Sequence, residues 1–123
     1  MAINVLIFED NQNLRFSIET MLEWNADFNL LKAMPDANTI EETLKTYQPD
    51  VILMDNWIPT IGGIAATQLI KQHPILKNIP VIYISANNDV ETLSIKAGAD
   101  SFMAKPFDFV ALEELAKKLT QKQ

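Results

Sequence analysis

The chain has 123 residues, 48% of them hydrophobic, no cysteine and a formal charge of −6. That length suits a single domain with its own apolar core, expected over residues 1–123, and the lack of cysteine excludes disulfides, thiolate metal sites and cysteine nucleophiles. An acidic chain without clustered Lys and Arg is a poor match for a nucleic-acid backbone or an anionic membrane surface, so neither is expected as a direct partner.

The start, Met1 to Val5, lacks the basic segment and long apolar stretch of a signal peptide, and no run approaches spanning length; a cytoplasmic protein is expected. Ile3 to Phe8 is an apolar, β-branched run that stops at Glu9-Asp10, and it reads as the first strand. From Asn13 the period changes: Leu14, Ile18, Met21 and Leu22 recur at helical spacing, and a helix runs to about Trp24, expected to pack at the helix end. Phe28 to Met34 is a less apolar strand, suited to the sheet edge, closed by Pro35-Asp36. Ile40, Leu44 and Tyr47 mark a second helix.

Val51-Ile52-Leu53-Met54 reads as a strand buried on both faces, with Asp55 where it ends and a loop, Pro59 to Gly63, after it. Ala65 through Gln72 is a third helix with Leu69 and Ile70 expected inward; His73, the lone histidine, is expected on the surface. Val81 to Ile84 forms a strand ending at Ser85-Ala86, and Asn87, Asn88 and Asp89 offer N-caps for a fourth helix, Val90 to Ala97, stopped by Gly98. Ser101-Phe102-Met103 is a short fifth strand, followed by Lys105-Pro106. From Asp108 a fifth helix runs onward with Leu112, Leu115, Ala116 and Leu119 on one stripe. Strands alternating with helices imply a parallel α/β sheet with helices on both faces.

In that topology Glu9, Asp10, Asp55, Ser85 and Lys105 all fall at carboxyl ends of strands, on one edge of the sheet, where open α/β sheets bind ligands. Singly, each has a plain alternative: a turn acid, an N-cap, a loop hydroxyl, a solvated lysine. Together they form a pattern. Crowded carboxylates resist ionisation unless a cation compensates them, and oxygen-only ligands suit Mg2+ or, as an alternative, Mn2+. Asp55 can then act as a nucleophile toward a phosphoryl group, with Lys105 and Ser85 available to the moving oxygens.

Val5 to Asn11, Asp50 to Pro59, Pro80 to Ala86, Lys96 to Phe102 and Lys105-Pro106-Phe107, in this order and spacing, resemble a response-regulator receiver domain of two-component signalling. The resemblance implies a flavodoxin-like, doubly wound five-stranded parallel sheet of order 2-1-3-4-5 with five helices. It implies that Asp55 accepts a phosphoryl group from a histidine kinase, a histidine phosphotransfer protein or a small phosphodonor. Glu9, Asp10, Asp55 and the backbone carbonyl of Trp57 hold Mg2+, and Ser85 and Lys105 contact the phosphoryl oxygens. The same resemblance implies a cis Lys105-Pro106 bond, Ser85 and Phe102 as switch residues, and output through the fourth helix, fifth strand and fifth helix, with a phosphorylation-dependent dimer as one form of that output. The implied role is a signalling module that catalyses its own aspartyl phosphorylation and dephosphorylation, not a turnover enzyme.

The chain departs from the pattern in four places. Glu9 stands where Asp is commoner, Gly62 where an Asp often caps the helix, Phe102 has no hydroxyl, and bulky Trp57 lies two residues past the acceptor, placed to screen an acyl phosphate from water. Three other functions remain as alternatives: a pseudo-receiver docking scaffold, a Mg2+-dependent phosphatase, disfavoured by Trp57 where a second acid is expected, and a flavin carrier, disfavoured by the acidic loop after the first strand.

Overall fold

The structure, a computed structural model, describes residues 2–121. Its elements are β1 (Ile3–Phe8), α1 (Gln12–Glu23), β2 (Phe28–Met34), α2 (Ile40–Tyr47), β3 (Val51–Asp55), α3 (Gly62–Gln72), β4 (Val81–Ser85), α4 (Val90–Ala97), β5 (Ser101–Ala104) and α5 (Phe109–Thr120). The strands form one parallel sheet in the order β2-β1-β3-β4-β5, as the resemblance implied.

Alternation along the strands divides the core into two layers. Leu6, Phe8, Ile52, Met54 and Tyr83 face α2, α3 and α4, while Val5, Ile7, Leu53, Ile82 and Ile84 face α1 and α5. Each large side chain so buried contributes roughly 1.5–3 kcal/mol, which is why the central strands are apolar on both faces. On the edge away from the acidic residues, the Lys71 ammonium lies 2.6 Å from Asp100 Oδ2, which also accepts the Val81 N–H at 2.8 Å. This contact ties α3 to the starts of β4 and β5.

The helices begin and end for local reasons. Asn11 Oδ1 accepts the Leu14 N–H at the start of α1, and Asp108 Oδ1 accepts the Val110 N–H at the start of α5. Gly98 closes α4 in the left-handed region, at φ 82°. α3 has no side-chain cap, in keeping with Gly62 in place of an acid.

Several expectations need correction. α3 starts at Gly62 rather than Ala65, and Leu69 is 54% exposed, because the inward stripe is Gly63, Ala66, Thr67 and Ile70 and Leu69 lies about 100° off it. Trp24 does not pack; it is 87% exposed just past the end of α1. Asp89 precedes α4 without a side-chain capping bond. The link between α3 and β4 holds a short 3-10 turn, Leu76–Asn78. His73 is not a free surface group: its Nδ1 accepts the N–H groups of Ile75 and Leu76 and organises that turn. Among the described residues no helix is long and apolar enough to cross a membrane.

Candidate functional site

The carboxyl ends of β1, β3, β4 and β5 carry the site. The Glu9 N–H still pairs with Met34 O of β2 at 2.9 Å, so its side chain turns into the sheet edge rather than out to solvent. One carboxylate oxygen of Glu9 accepts the Asn11 N–H at 3.1 Å, and its main-chain carbonyl accepts Arg15 Nη1 at 2.7 Å. Asp10, beside it, is exposed. Asp55 is the last residue of β3, and a carboxylate oxygen from each of Glu9, Asp10 and Asp55 lies within 4.8 Å of the others.

Asp55 and Glu9 are almost completely buried, 3% and 2% exposed. The buried acids are tolerated because the Lys105 ammonium lies between them, 2.7 Å from Asp55 Oδ1 and 2.9 Å from Glu9 Oε1. Lys105 is thus a member of the cluster. Its main-chain N–H donates to Ser85 O at 2.9 Å, the Lys105-Pro106 bond is cis, and the longer arm of Glu9 reaches the ammonium.

Burial is the largest influence on both acids and pushes Glu9 and Asp55 above the usual carboxylate range, against the pull of the Lys105 hydrogen bond. The negative charge of Asp55 raises Glu9 further, and that of Asp10 raises Asp55. Burial also pulls Lys105 down, but its hydrogen bonds to Asp55 and Glu9 outweigh this and leave it raised. Three carboxylates face one ammonium, so the cluster carries excess negative charge and offers only oxygen donors. That donor set fits a hard divalent cation, which has to share Asp55 and Glu9 with Lys105.

The loop after Asp55 is held closely. Asn56 N–H donates to Ile84 O at 2.8 Å, Asn56 O accepts Gly63 N–H at 3.0 Å, and Tyr83 donates its hydroxyl to Asn56 Oδ1. At Gly63 a Cβ would sit 2.3 Å from Asp55 O and 2.8 Å from Asn56 Cα, so no other residue fits. Thr60 adopts φ 77°, unusual for a β-branched residue. Trp57 is 77% exposed beside the acidic cluster. Ser85 is buried at the same edge, its Oγ accepting the Asn87 N–H at 3.0 Å, and Phe102 on β5 is partly exposed.

Of the residues singled out from sequence, Glu9, Asp10, Asp55 and Lys105 come into one cluster, and Ser85 and Trp57 flank it on the same edge. Phe102 lies apart from it. The reading missed the Tyr83–Asn56 contact and the steric demand at Gly63. A tyrosine inside the apolar run Val81 to Ile84 was a usable signal, since a buried phenol normally finds a hydrogen-bond partner.

The doubly wound parallel sheet thus carries an oxygen-only acidic cluster and a lysine ammonium at its carboxyl edge, the edge where such sheets bind ligands. The chain belongs to the response regulator receiver domain family, whose model matches residues 5–117. It is 32% identical over 120 residues to the transcriptional regulatory protein DegU of Brevibacillus brevis, covering 97% of this chain and 50% of that protein. It is 36% identical over 107 residues to the response regulator GacA of Pseudomonas viridiflava, covering 84% of this chain and 48% of that protein. The chain therefore spans about half the length of these curated relatives. Among solved structures, the signal receiver domain of a signal transduction histidine kinase from Syntrophus aciditrophicus superposes with a TM-score of 0.85 at 27% identity, over 97% of this chain and 90% of that one. Receiver domains of this family work with histidine kinases and downstream effectors.

Proposed function

We propose that Asp55 is the phosphoacceptor of this receiver domain. The observation that carries the reading is a buried aspartate at the carboxyl edge of the central strand, 2.7 Å from the Lys105 ammonium. Asp55 attacks the phosphorus of a phosphohistidine on a kinase or phosphotransfer protein; the new P–O bond forms as the P–N bond breaks and the imidazole leaves. Glu9, Asp10, Asp55 and the Trp57 carbonyl hold Mg2+, with Mn2+ as the alternative, and the ion supplies neutralisation of charge on the transferring oxygens. Lys105 keeps its ammonium at the acceptor before and after transfer, and Ser85 is placed to donate its hydroxyl to a phosphoryl oxygen. The chain promotes its own phosphorylation in this way, and its own dephosphorylation by attack of water on the phosphorus, which releases inorganic phosphate as the Asp55 carboxylate leaves; both steps take place in the cytoplasm.

Transfer adds charged oxygens beside a largely buried cluster, and the arrangement in which they find partners gains population. The readout is a change in protein binding, or in dimerisation, at the face made by α4, β5 and α5. Ile95, Phe102 and Val110, exposed apolar side chains on those elements, support this choice of face.

The test is intact-mass spectrometry after incubation with acetyl phosphate and Mg2+. A phosphoryl adduct on the wild type that is absent from Asp55→Asn is the expected result. An adduct that persists in Asp55→Asn, or none on the wild type from either acetyl phosphate or a phosphorylated histidine donor, overturns the assignment and favours a docking scaffold.

A further inference from the structure

The main chain between Asp55 and Ile58 has an anchor that packing does not require. Tyr83 is fully buried in the layer with Ile52 and Met54, where a phenylalanine would fill nearly the same volume. Its hydroxyl nevertheless reaches the side chain of Asn56, the residue next to Asp55. Burial, helped by the charge of Asp55, pushes the phenol up to about 12, so it remains a donor across the neutral range. Asn56 is therefore held at three points: its N–H by Ile84, its carbonyl by Gly63 and its side chain by Tyr83.

Trp57 comes next, and its side chain is too exposed to hold its own backbone by packing. Ile58 beyond it is buried. The position of the Trp57 peptide is thus set by its two neighbours, Ile58 anchored by burial and Asn56 by three hydrogen bonds, of which the one from Tyr83 is the only one made to its side chain. The loop's own preferences do not provide this order, because Thr60 sits in the left-handed region.

We propose that Tyr83 is a positioning residue whose hydroxyl, acting through Asn56, fixes the main chain between Asp55 and Ile58 and so sets the affinity of the acidic cluster for a divalent cation. The inference rests on the reading of Glu9, Asp10, Asp55 and the Trp57 carbonyl as the metal-holding set. Without the hydroxyl the Asn56 side chain loses its anchor and metal binding has to restore that order; the loss of one such supporting hydrogen bond weakens binding roughly threefold to tenfold.

The experiment is a Mg2+ titration followed by tryptophan emission in a Trp24→Phe background, which leaves Trp57 as the sole tryptophan, repeated by calorimetry. Tyr83→Phe, Asn56→Ala and the double variant are compared with this parent, and Tyr47→Phe serves as a control. The expected result is a Kd for Mg2+ raised about threefold to tenfold in each single variant, no further increase in the double variant, and no change in the control. At saturating Mg2+ the rate of phosphorylation by acetyl phosphate returns close to the parent's, a split that a general loss of stability does not produce. A Kd within twofold of the parent in Tyr83→Phe, multiplying effects in the double variant, or a parent that binds no Mg2+ overturns the proposal. Should Tyr83→Phe fail to fold, Asn56→Ala decides alone: an unchanged Kd overturns the proposal and a raised one supports it. A parent that binds Mg2+ but takes no phosphoryl group from any donor refutes the role given to Asp55, and the titration still decides the role of Tyr83.

Discussion

Replacing Lys105 with methionine tests whether the ammonium is what makes the buried acids tolerable. The substitution keeps most of the side-chain volume and removes contacts of 2.7 and 2.9 Å to carboxylates that are almost completely buried. Removing one partner of a buried ion pair costs about 3–5 kcal/mol. The low end applies here, because the Lys105 side chain is 23% exposed and the abandoned acids can take up a proton. At roughly 2.1 cal/mol/K per residue, a chain of 123 residues loses about 12 °C of Tm for ~3 kcal/mol. Glu9 and Asp55 already hold protons to higher pH in the folded chain than when unfolded, so their contribution to stability falls as pH rises from the ordinary carboxylate range through the raised values. The variant, lacking the lysine that opposes this shift, should fall more steeply. Lys105's own contribution is lost only as pH climbs through its raised value, so it is complete in this window. Calorimetric scans of both proteins without divalent ions, from pH 5 to pH 8, should show a gap that widens with pH, and Mg2+ at about 100 times its Kd should add about 2.7 kcal/mol to whichever protein binds it. A Tm within about 3 °C of wild type at pH 8, or a gap that does not change with pH, would refute the electrostatic account.

The other predictions concern the loop after Asp55. Gly63→Ala forces a Cβ against the Asp55 carbonyl and should cost about 1–3 kcal/mol in urea unfolding; a neutral effect would mean the close approach is not real. Thr60→Gly should stabilise by about 1 kcal/mol, because glycine accepts φ 77° without a steric penalty, and a destabilised variant contradicts this. If the indole two residues past Asp55 limits access of water to the acyl phosphate, Trp57→Ala should shorten the lifetime of the phosphorylated form by several-fold; an equal or longer lifetime removes that role.

The element order was legible because its signals are local. Alternating or continuous apolar runs in Ile3–Phe8 and Val51–Met54, the helical stripe of α5 and the glycine after α4 each lie within a few residues of what they specify. A parallel sheet then brings all carboxyl ends to one edge, so Glu9, Asp10, Asp55, Ser85 and Lys105 could be assigned to one side of the molecule before any coordinates. Side-chain orientation at helix ends was less legible. Leu69 and Trp24 are apolar yet exposed, because hydrophobicity states a preference and the neighbouring elements decide whether anything covers it.

The residues by themselves thus determined the element order, the parallel sheet and the chemical inventory of the site, while the strand order 2-1-3-4-5 came from the family resemblance. Only the tertiary structure decided that Lys105 lies between Glu9 and Asp55, that Gly63 leaves no room for a Cβ against the Asp55 carbonyl, and that Tyr83 reaches Asn56. Lys105 is far along the chain from both acids, and its reach depends on the order β1-β3-β4-β5 in the sheet. Contacts set to within a few tenths of an ångström between such residues follow from packing across the whole domain, and no local pattern of residue types encodes them.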